Sequence, residues 1–498
     1  MAHRLQAKRL GIDTQSEFVV FMRTDCTVCR SEGFVTHNRI LLQANGRRVI
    51  ATLYQVTGDI LDLCDAGLSE SIWSRLDLKD GEDIIVSHPE PLGSLSLVRS
   101  RIYGNRLDDR ALREIIGDVV DGQYSEIHIS SFLTACATKP LDHGEILGLT
   151  RAMVDVGETL RWSNPVVADK HSVGGLPGNR TTPIIVAIVA SLGLTMPKTS
   201  SRAITSPAGT ADMMETLAPV DLEIDQIHRV VEKEGGCIVW GGAVKLSPGD
   251  DILIRVERAL DIDTEGQMIA SVLSKKIAAG ATHLVLDMPV GPTAKVRDNE
   301  AARSLTAGLL SVSEAFGIKA RIVRGDGSQP IGRGIGPALE ARDVLAVLQG
   351  ASDAPADLRE RAVELAGVLL ELTGHAPSNG AALAAEALHD GRAWQKFQKI
   401  CEAQGGMRTP PVSTDRKPLM ANRSGRIAAI DNRKIAKLAK LAGAPDAKAA
   451  GVDLHIRVGD IAVAGEPLCT VHSEAPGELD YAMSFAAANS DIFHIEEV

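Results

Sequence analysis

The residues best suited to chemistry lie in Asp169-Lys-His-Ser-Val-Gly-Gly-Leu-Pro-Gly-Asn-Arg180, which runs straight into the apolar stretch Thr182 to Met196. Gly174 and Gly175 let the backbone approach a ligand closely, and Gly178 with Pro177 shapes the turn. Lys170, His171, Ser172, Asn179, Arg180, Thr181 and Thr182 surround them with donors. The residues that follow predict a helix, whose unpaired N–H groups and dipole favour an anion. Such a cradle suits a phosphate. A second turn, Thr199-Ser-Ser-Arg-Ala-Ile-Thr-Ser-Pro-Ala-Gly-Thr-Ala-Asp212, again sets hydroxyls around one arginine, with Pro207 placed to open a helix over Ala208 to Leu217. Either turn alone could be a capped helix, because Ser, Thr and Asn cap helices widely. Two in one α/β unit predict a site holding two anionic or polyhydroxylated groups.

The rest of the chain must position these turns. Its 498 residues predict about three domains, and 44% hydrophobic content is that of a globular protein. With aromatics at 3%, the core must be aliphatic. A formal charge of −11 argues against nucleic acid as a partner, while leaving room for a small phosphorylated substrate. The start, Met1 to Arg9, is polar and basic, and the longest apolar run, Pro183 to Met196, is too short to cross a bilayer. A cytoplasmic location without membrane contact is therefore expected. Seven cysteines spread over a long chain do not form a disulfide framework. Cys26-Thr-Val-Cys29 lacks a second pair for zinc, and Arg30 to Val35 is expected to continue into an extended stretch rather than the helix a redox motif needs. The expectation is a structural pair.

The pattern of elements predicts a multidomain α/β protein. Residues 1–88 form a β-rich N-terminal domain, with strands around Asn45-Gly46 and a helix near Ala66 to Leu76. Pro89 to Gly93 is a linker. Residues 96–163 form an all-helical lobe, rejoined by about 250–279. A central mixed or parallel-sheet α/β phosphate-binding domain covers 164–410, and a C-terminal α+β domain covers 415–498. The glycine-rich Gly325 to Gly336 lacks the dinucleotide fingerprint and predicts a turn entering a helix over Ala338 to Gln349.

Asp169 to Ser172 followed by Gly174-Gly175 resembles the phosphate loop of the thymidine and pyrimidine-nucleoside phosphorylases. Ser201 to Ser206, Ala208 to Thr210 and Glu265 to Lys276 are closer still to the AMP phosphorylase branch, also catalogued as a second type of thymidine phosphorylase. The resemblance runs from about Leu97 to the C-terminus, and the N-terminal region is similar to the extra domain of the AMP-type enzymes.

Phosphorolysis replaces a base at C1′ of a pentose with phosphate, through a transition state with positive charge on the sugar and negative charge on the departing base. It needs an anchored phosphate, groups that bind the sugar and a proton for the base. The resemblance places phosphate at Lys170, Ser172, Thr182, Ser200 and Thr210. It places the nucleotide at Gly175, Ser201, Arg202, Ala203, Ile204, Thr205, Ser206, Thr210, Ser271, Lys275 and Lys295, with Arg202 as partner of a 5′-phosphate. Asp263 corresponds to the proton donor, a role that needs a raised pKa, and His171 lies near the sugar or base. Inorganic phosphate is a co-substrate, no cofactor or metal is implied, and the partners are a small-molecule nucleotide or nucleoside. A homodimer or larger homo-oligomer is expected.

Two features depart from the pyrimidine enzymes. Those carry a tyrosine-and-arginine segment whose arginine grips a pyrimidine carbonyl, where this chain has Val256 with Arg255 and Arg258 out of register. They also carry Gly-Arg-Gly-Leu-Gly-His-Thr-Gly-Gly-Thr in place of Ser201 to Thr210. The resemblance therefore implies a nucleoside 5′-monophosphate, AMP first, with thymidine or another pyrimidine nucleoside as the alternative.

Overall fold

The computed structural model describes every residue except Met1, Ala2, Ser16, Pro177, Asn179, Ile204, Thr205, Asp263 and Val498. Two compact units emerge, one of residues 1–139 with 255–262, the other of 140–254 with 263–498.

In the first unit, alternating residues close a six-stranded barrel. Around it run His3–Arg9, Asp65–Leu68, Val19–Arg23, Arg47–Val56, Arg39–Ala44 and Asp83–Ser87, the last pairing with the first. Leu5 and Ala7, Ile40 and Leu42, Val49, Ala51 and Leu53, and Ile84 and Val86 point inward at a period of two. Asn45 and Gly46, both at positive φ, turn the Arg39–Ala44 and Arg47–Val56 hairpin as their sequence predicts.

Two expectations fail in this unit. Arg30 to Val35 is not extended: Thr27–Glu32 is a helix, and the Cys26 thiolate or thiol sulfur caps it by accepting from the Cys29 amide at 3.2 Å. The pair thus does lie between a strand and a helix, with both sulfurs sealed in the barrel core. Ala66 to Leu76 is not one helix but the strand Asp65–Leu68 followed by the helix Glu70–Leu76, because Ala66 and Leu68 are drawn into the barrel wall. Helices Leu95–Ile102, Asp109–Val120 and Glu126–Thr138 complete the unit, the second burying Leu112, Ile115, Ile116 and Val119 along one face.

The second unit is built on parallel strands. Ala168–Ser172 lies beside His283–Val290, which lies beside Lys319–Asp326. Met196–Ser200 pairs with Gly236–Trp240, and a bridge from Val167 to Thr195 joins the two sets. Parallel order puts the functional turns, both following strand C-termini, at the same edge. Behind them Thr181–Ser191 is apolar on every side and buried from Thr181 to Ala190, so its position is fixed by core packing. The helix expected over Ala208 to Leu217 is shorter, Thr210–Glu215, and the region expected helical from Asp251 to Ala279 is two helices, Pro248–Leu260 and Glu265–Ala278. His143–Asp155 packs on Glu265–Ala278 within this unit.

Toward the C-terminus, Gly334–Ile335 joins Gly451–Leu454, Pro467–Ser473 and Asp415–Met420 in a sheet. A second sheet holds Ile461–Ala462, Gly425–Ile430 and Phe493–Glu496, and helices Asn432–Leu441 and Pro476–Ala488 pack between strands. Among the described residues no helix is long and apolar enough to cross a membrane.

Candidate active site

Strand alternation sends Lys170 from Ala168–Ser172 into the protein, where its side chain has no exposed surface. Its ammonium lies 2.8 Å from Thr181 Oγ1, 3.5 Å from Thr182 Oγ1 and 3.5 Å from Asp287 Oδ2. Ser172 Oγ donates to the same carboxylate oxygen at 3.3 Å. Asp287 Oδ1 in turn receives the Arg361 guanidinium. Three of the expected phosphate ligands are therefore linked, Lys170 and Ser172 through an aspartate of the neighbouring strand and Thr182 through the Lys170 ammonium. Burial pushes the Lys170 ammonium down to about 8, against the pull of Asp287 in the other direction.

One residue earlier in the strand, Asp169 faces away from Lys170 and takes two lysines. Lys276 Nζ stands 2.7 Å and Lys198 Nζ 3.3 Å from its carboxylate, and all three side chains are buried. Burial would raise Asp169, but the two ammonium groups hold it below the usual carboxylate range. Lys198 is driven well below its ordinary value, by burial first and by Lys276 beside it. Lys170, Lys198 and Lys276 thus crowd onto two buried carboxylates, Asp169 and Asp287, the second of which is shared with Arg361, itself paired also with Glu364. That excess of buried positive charge is the electrostatic condition an anion relieves. His171 sits above it, half-buried. Its pKa falls well below the usual imidazole value, through burial and then through Lys276, Lys198, Lys275 and Lys170. That shift favours the neutral imidazole, which can donate or accept a hydrogen bond.

The glycine turn is shaped by contact rather than by sequence convenience. Gly174 and Gly175 have φ of 112° and 66°. A Cβ on Gly174 would come 3.0 Å from Lys295 Cβ, and one on Gly175 would come 3.6 Å from Ser206 Cβ. So the turn lies against two of the residues expected to hold the nucleotide. A Cβ on Gly178 would stand 2.6 Å from Ser172 Oγ and 2.9 Å from Asp287 Oδ2.

The second turn is organised by Asp212, which accepts from the Ala203 amide at 2.6 Å and the Gly209 amide at 3.0 Å. Arg202 does not face an open anion position. Its guanidinium forms two 2.9 Å bonds to Glu215, approaches Asp212 at 3.3 Å and Asp221 at 3.4 Å, and lies 4.8 Å over the Trp240 ring. A 5′-phosphate there would have to displace carboxylates. Ser201 is exposed, Ser206 Oγ bonds to Ala208 O at 2.8 Å, and Thr210 is half-buried at the start of its short helix. Ser200 Oγ donates to Val239 O at 2.9 Å. Ser271 and Lys275 share a face of Glu265–Ala278, one turn apart, with Lys275 Nζ 2.5 Å from Asp250. Asp263, Ile204 and Thr205 lie outside the described residues.

Sequence reasoning missed Lys198, Lys276, Asp287, Arg361 and Asp212. A signal existed for three of them. Asp287 interrupts the apolar strand His283–Val290, Lys198 interrupts Met196–Ser200, and Lys276 falls on the buried face of its helix. A charge inside an apolar run must find a partner.

Comparisons with known proteins accord with this geometry. Residues 95–157 match the helical bundle domain of a glycosyl transferase family, 164–394 its α/β domain, and 426–493 the pyrimidine nucleoside phosphorylase C-terminal domain. A protein of Sphingopyxis alaskensis named "putative thymidine phosphorylase" is 59% identical over 497 residues, 99% of this chain and 96% of the relative. The chain belongs to the thymidine phosphorylase family. It is a glycosyltransferase by class. A similarly named protein of Legionella pneumophila is 55% identical over 496 residues, 99% of this chain and 96% of its own. Among solved structures, an anthranilate phosphoribosyltransferase from Thermus thermophilus superposes with a TM-score of 0.51 at 21% identity, covering 62% of this chain and 98% of its own. At that identity the likeness speaks for the fold of this family member.

Proposed function

We propose that this thymidine phosphorylase family member cleaves the N-glycosidic bond of a nucleoside 5′-monophosphate with inorganic phosphate, AMP being the first candidate. The observation that carries the phosphate half is the buried cationic cluster beside Gly178, where Lys170 and Ser172 meet at Asp287 and Thr182 lies 3.5 Å from the Lys170 ammonium. An oxygen of the anchored phosphate attacks C1′ as the bond to the base nitrogen breaks. The electron pair leaves with the base, which takes its proton from Asp263, the donor implied by the resemblance. Neutral His171 is suited to hydrogen-bond the sugar. The products are free base and ribose 1,5-bisphosphate.

The nucleotide half rests on Ser201 to Ser206, Ala208 to Thr210 and Glu265 to Lys276, the segments closest to the AMP-type branch. Arg202, the partner of a 5′-phosphate that the resemblance implies, would have to exchange carboxylates for it, and Lys295, whose Cβ lies against Gly174, is a further cation among the nucleotide contacts the resemblance implies. A second reading, a thymidine or pyrimidine-nucleoside phosphorylase giving a pentose 1-phosphate, draws support from the names of the relatives and from the matched C-terminal domain. One panel separates the two. Purified protein with phosphate is offered AMP, CMP, UMP, adenosine and thymidine, and released base is quantified. Release from AMP above the others supports the nucleotide reading, and cleavage of thymidine without AMP overturns it.

A further inference from the structure

The C-terminal region contributes one charge to the neighbourhood of the second turn. Lys448 Nζ lies 2.9 Å from Glu215 Oε2 and 3.6 Å from Asp212 Oδ1. Those two carboxylates are the ones that shape the turn. Asp212 holds the amides of Ala203 and Gly209, and Glu215 holds Arg202 through two bonds. The lysine is itself fixed from behind. Its carbonyl accepts from the Ala338 amide at 3.0 Å, and the Ala449 amide donates to Glu474 at 2.7 Å.

We infer that Lys448 is a positioning residue for the nucleoside-side turn 201–210, acting through Asp212 and Glu215 without touching substrate. The charge count explains the need for it. Arg202 alone faces Asp212, Glu215 and Asp221, and a second cation reduces the repulsion among three carboxylates gathered on one guanidinium. Arg202 and Lys448 together hold Glu215 down to about 2, so it stays ionised over the working pH range. The turn has no slack in which to absorb a shift of Asp212: a Cβ on Gly209 would come within 2.4 Å of Ser201 O and 2.8 Å of Ala203 N. The C-terminal domain thereby sets how firmly the nucleoside side of the site is formed, while the phosphate cluster around Lys170 lies on other strands.

This inference rests on the phosphorolysis reading for its kinetic arm only. Lys448→Met is expected to raise KM for the nucleoside or nucleotide about tenfold, the loss expected of one charge-assisted hydrogen bond. KM for phosphate should rise less than KM for the nucleotide, since Thr210 is the one expected phosphate contact within the turn, kcat should change less than about twofold, and Lys448→Arg should restore the wild-type values. Hydrogen–deuterium exchange gives an arm independent of turnover. The amides of Ala203 and Gly209 should exchange faster in Lys448→Met and at the wild-type rate in Lys448→Arg. Lys448→Gln, close in length but uncharged, carries the same comparison if the Met variant does not fold. Unchanged exchange at both amides overturns the inference, as does a parallel change of both KM values with no rescue by Arg. Absence of any wild-type phosphorolysis would instead sink the proposed function and leave the exchange arm to decide on Lys448.

Discussion

The Lys170 ammonium and the Asp287 carboxylate meet at 3.5 Å between adjacent parallel strands, and neither side chain has any exposed surface. Lys170 is thereby held charged at the foot of the glycine turn, while Asp287 is shared with Ser172 and Arg361. Loss of the carboxylate removes the buried counter-ion of Lys170 and leaves Arg361 with Glu364 as its remaining carboxylate. Asp287→Asn is expected to cost about 3–5 kcal/mol of stability, read by chemical denaturation, and to raise KM for phosphate in whatever fraction remains folded. A variant as stable as wild type would show that this pair is not buried as described.

Lys170 also predicts a pH profile. Burial favours its neutral form, so the phosphate's counter-charge is lost as pH rises through about 8. Measured as kcat/KM for phosphate, activity should decline above that pH with a single ionisation, earlier than an ordinary lysine would allow. A flat profile to pH 10 would separate Lys170 from phosphate binding.

Asp169 and Lys198 should respond in opposite ways. Asp169→Asn leaves Lys198 and Lys276 facing each other without a counter-ion, and a loss of about 3–5 kcal/mol is expected. Lys198→Met leaves Lys276 and Asp169 as a one-to-one pair, so stability should stay within about 1 kcal/mol of wild type or rise. The same variant removes positive charge beside His171, so the imidazole pKa, followed by NMR, should move upward. Equal destabilisation by the two substitutions would contradict the shared-carboxylate arrangement.

Gly178→Ala tests the turn itself. The new methyl would meet Ser172 Oγ at 2.6 Å and Asp287 Oδ2 at 2.9 Å, both polar groups of the phosphate cluster. Phosphate KM should rise by about tenfold or more, for a steric cost in the usual overpacking range. Gly193→Ala is the control for substitution at a surface turn, since no atom lies within 4 Å of its added Cβ, although its φ of 86° brings some backbone strain. Comparable phosphate KM values in the two would place Gly178 outside the site.

Much of this architecture is legible along the chain because its signals are local. Glycines, hydroxyls and Lys170 sit together in one turn, and the alternation of Ile40 and Leu42 or Ile84 and Val86 gives the barrel strands directly. What escaped depends on distance in sequence. Asp287 is joined to Lys170, and Lys276 to Asp169, only once parallel strands and the helix behind them pack. Arg202 reads as an anion ligand until Glu215, thirteen residues on, turns back onto it. The short helix at Thr27–Glu32 is set by the capping Cys26 and by burial in the barrel, neither of which a periodicity over six residues can show.

The most direct test of the account is whether base release requires inorganic phosphate and transfers it to the sugar. With AMP or the best substrate of the panel, ³¹P NMR should show one new phosphate ester at C1 for each base released, and none when phosphate is omitted. Base release at an undiminished rate without phosphate, yielding a sugar with a free C1 hydroxyl, would contradict it.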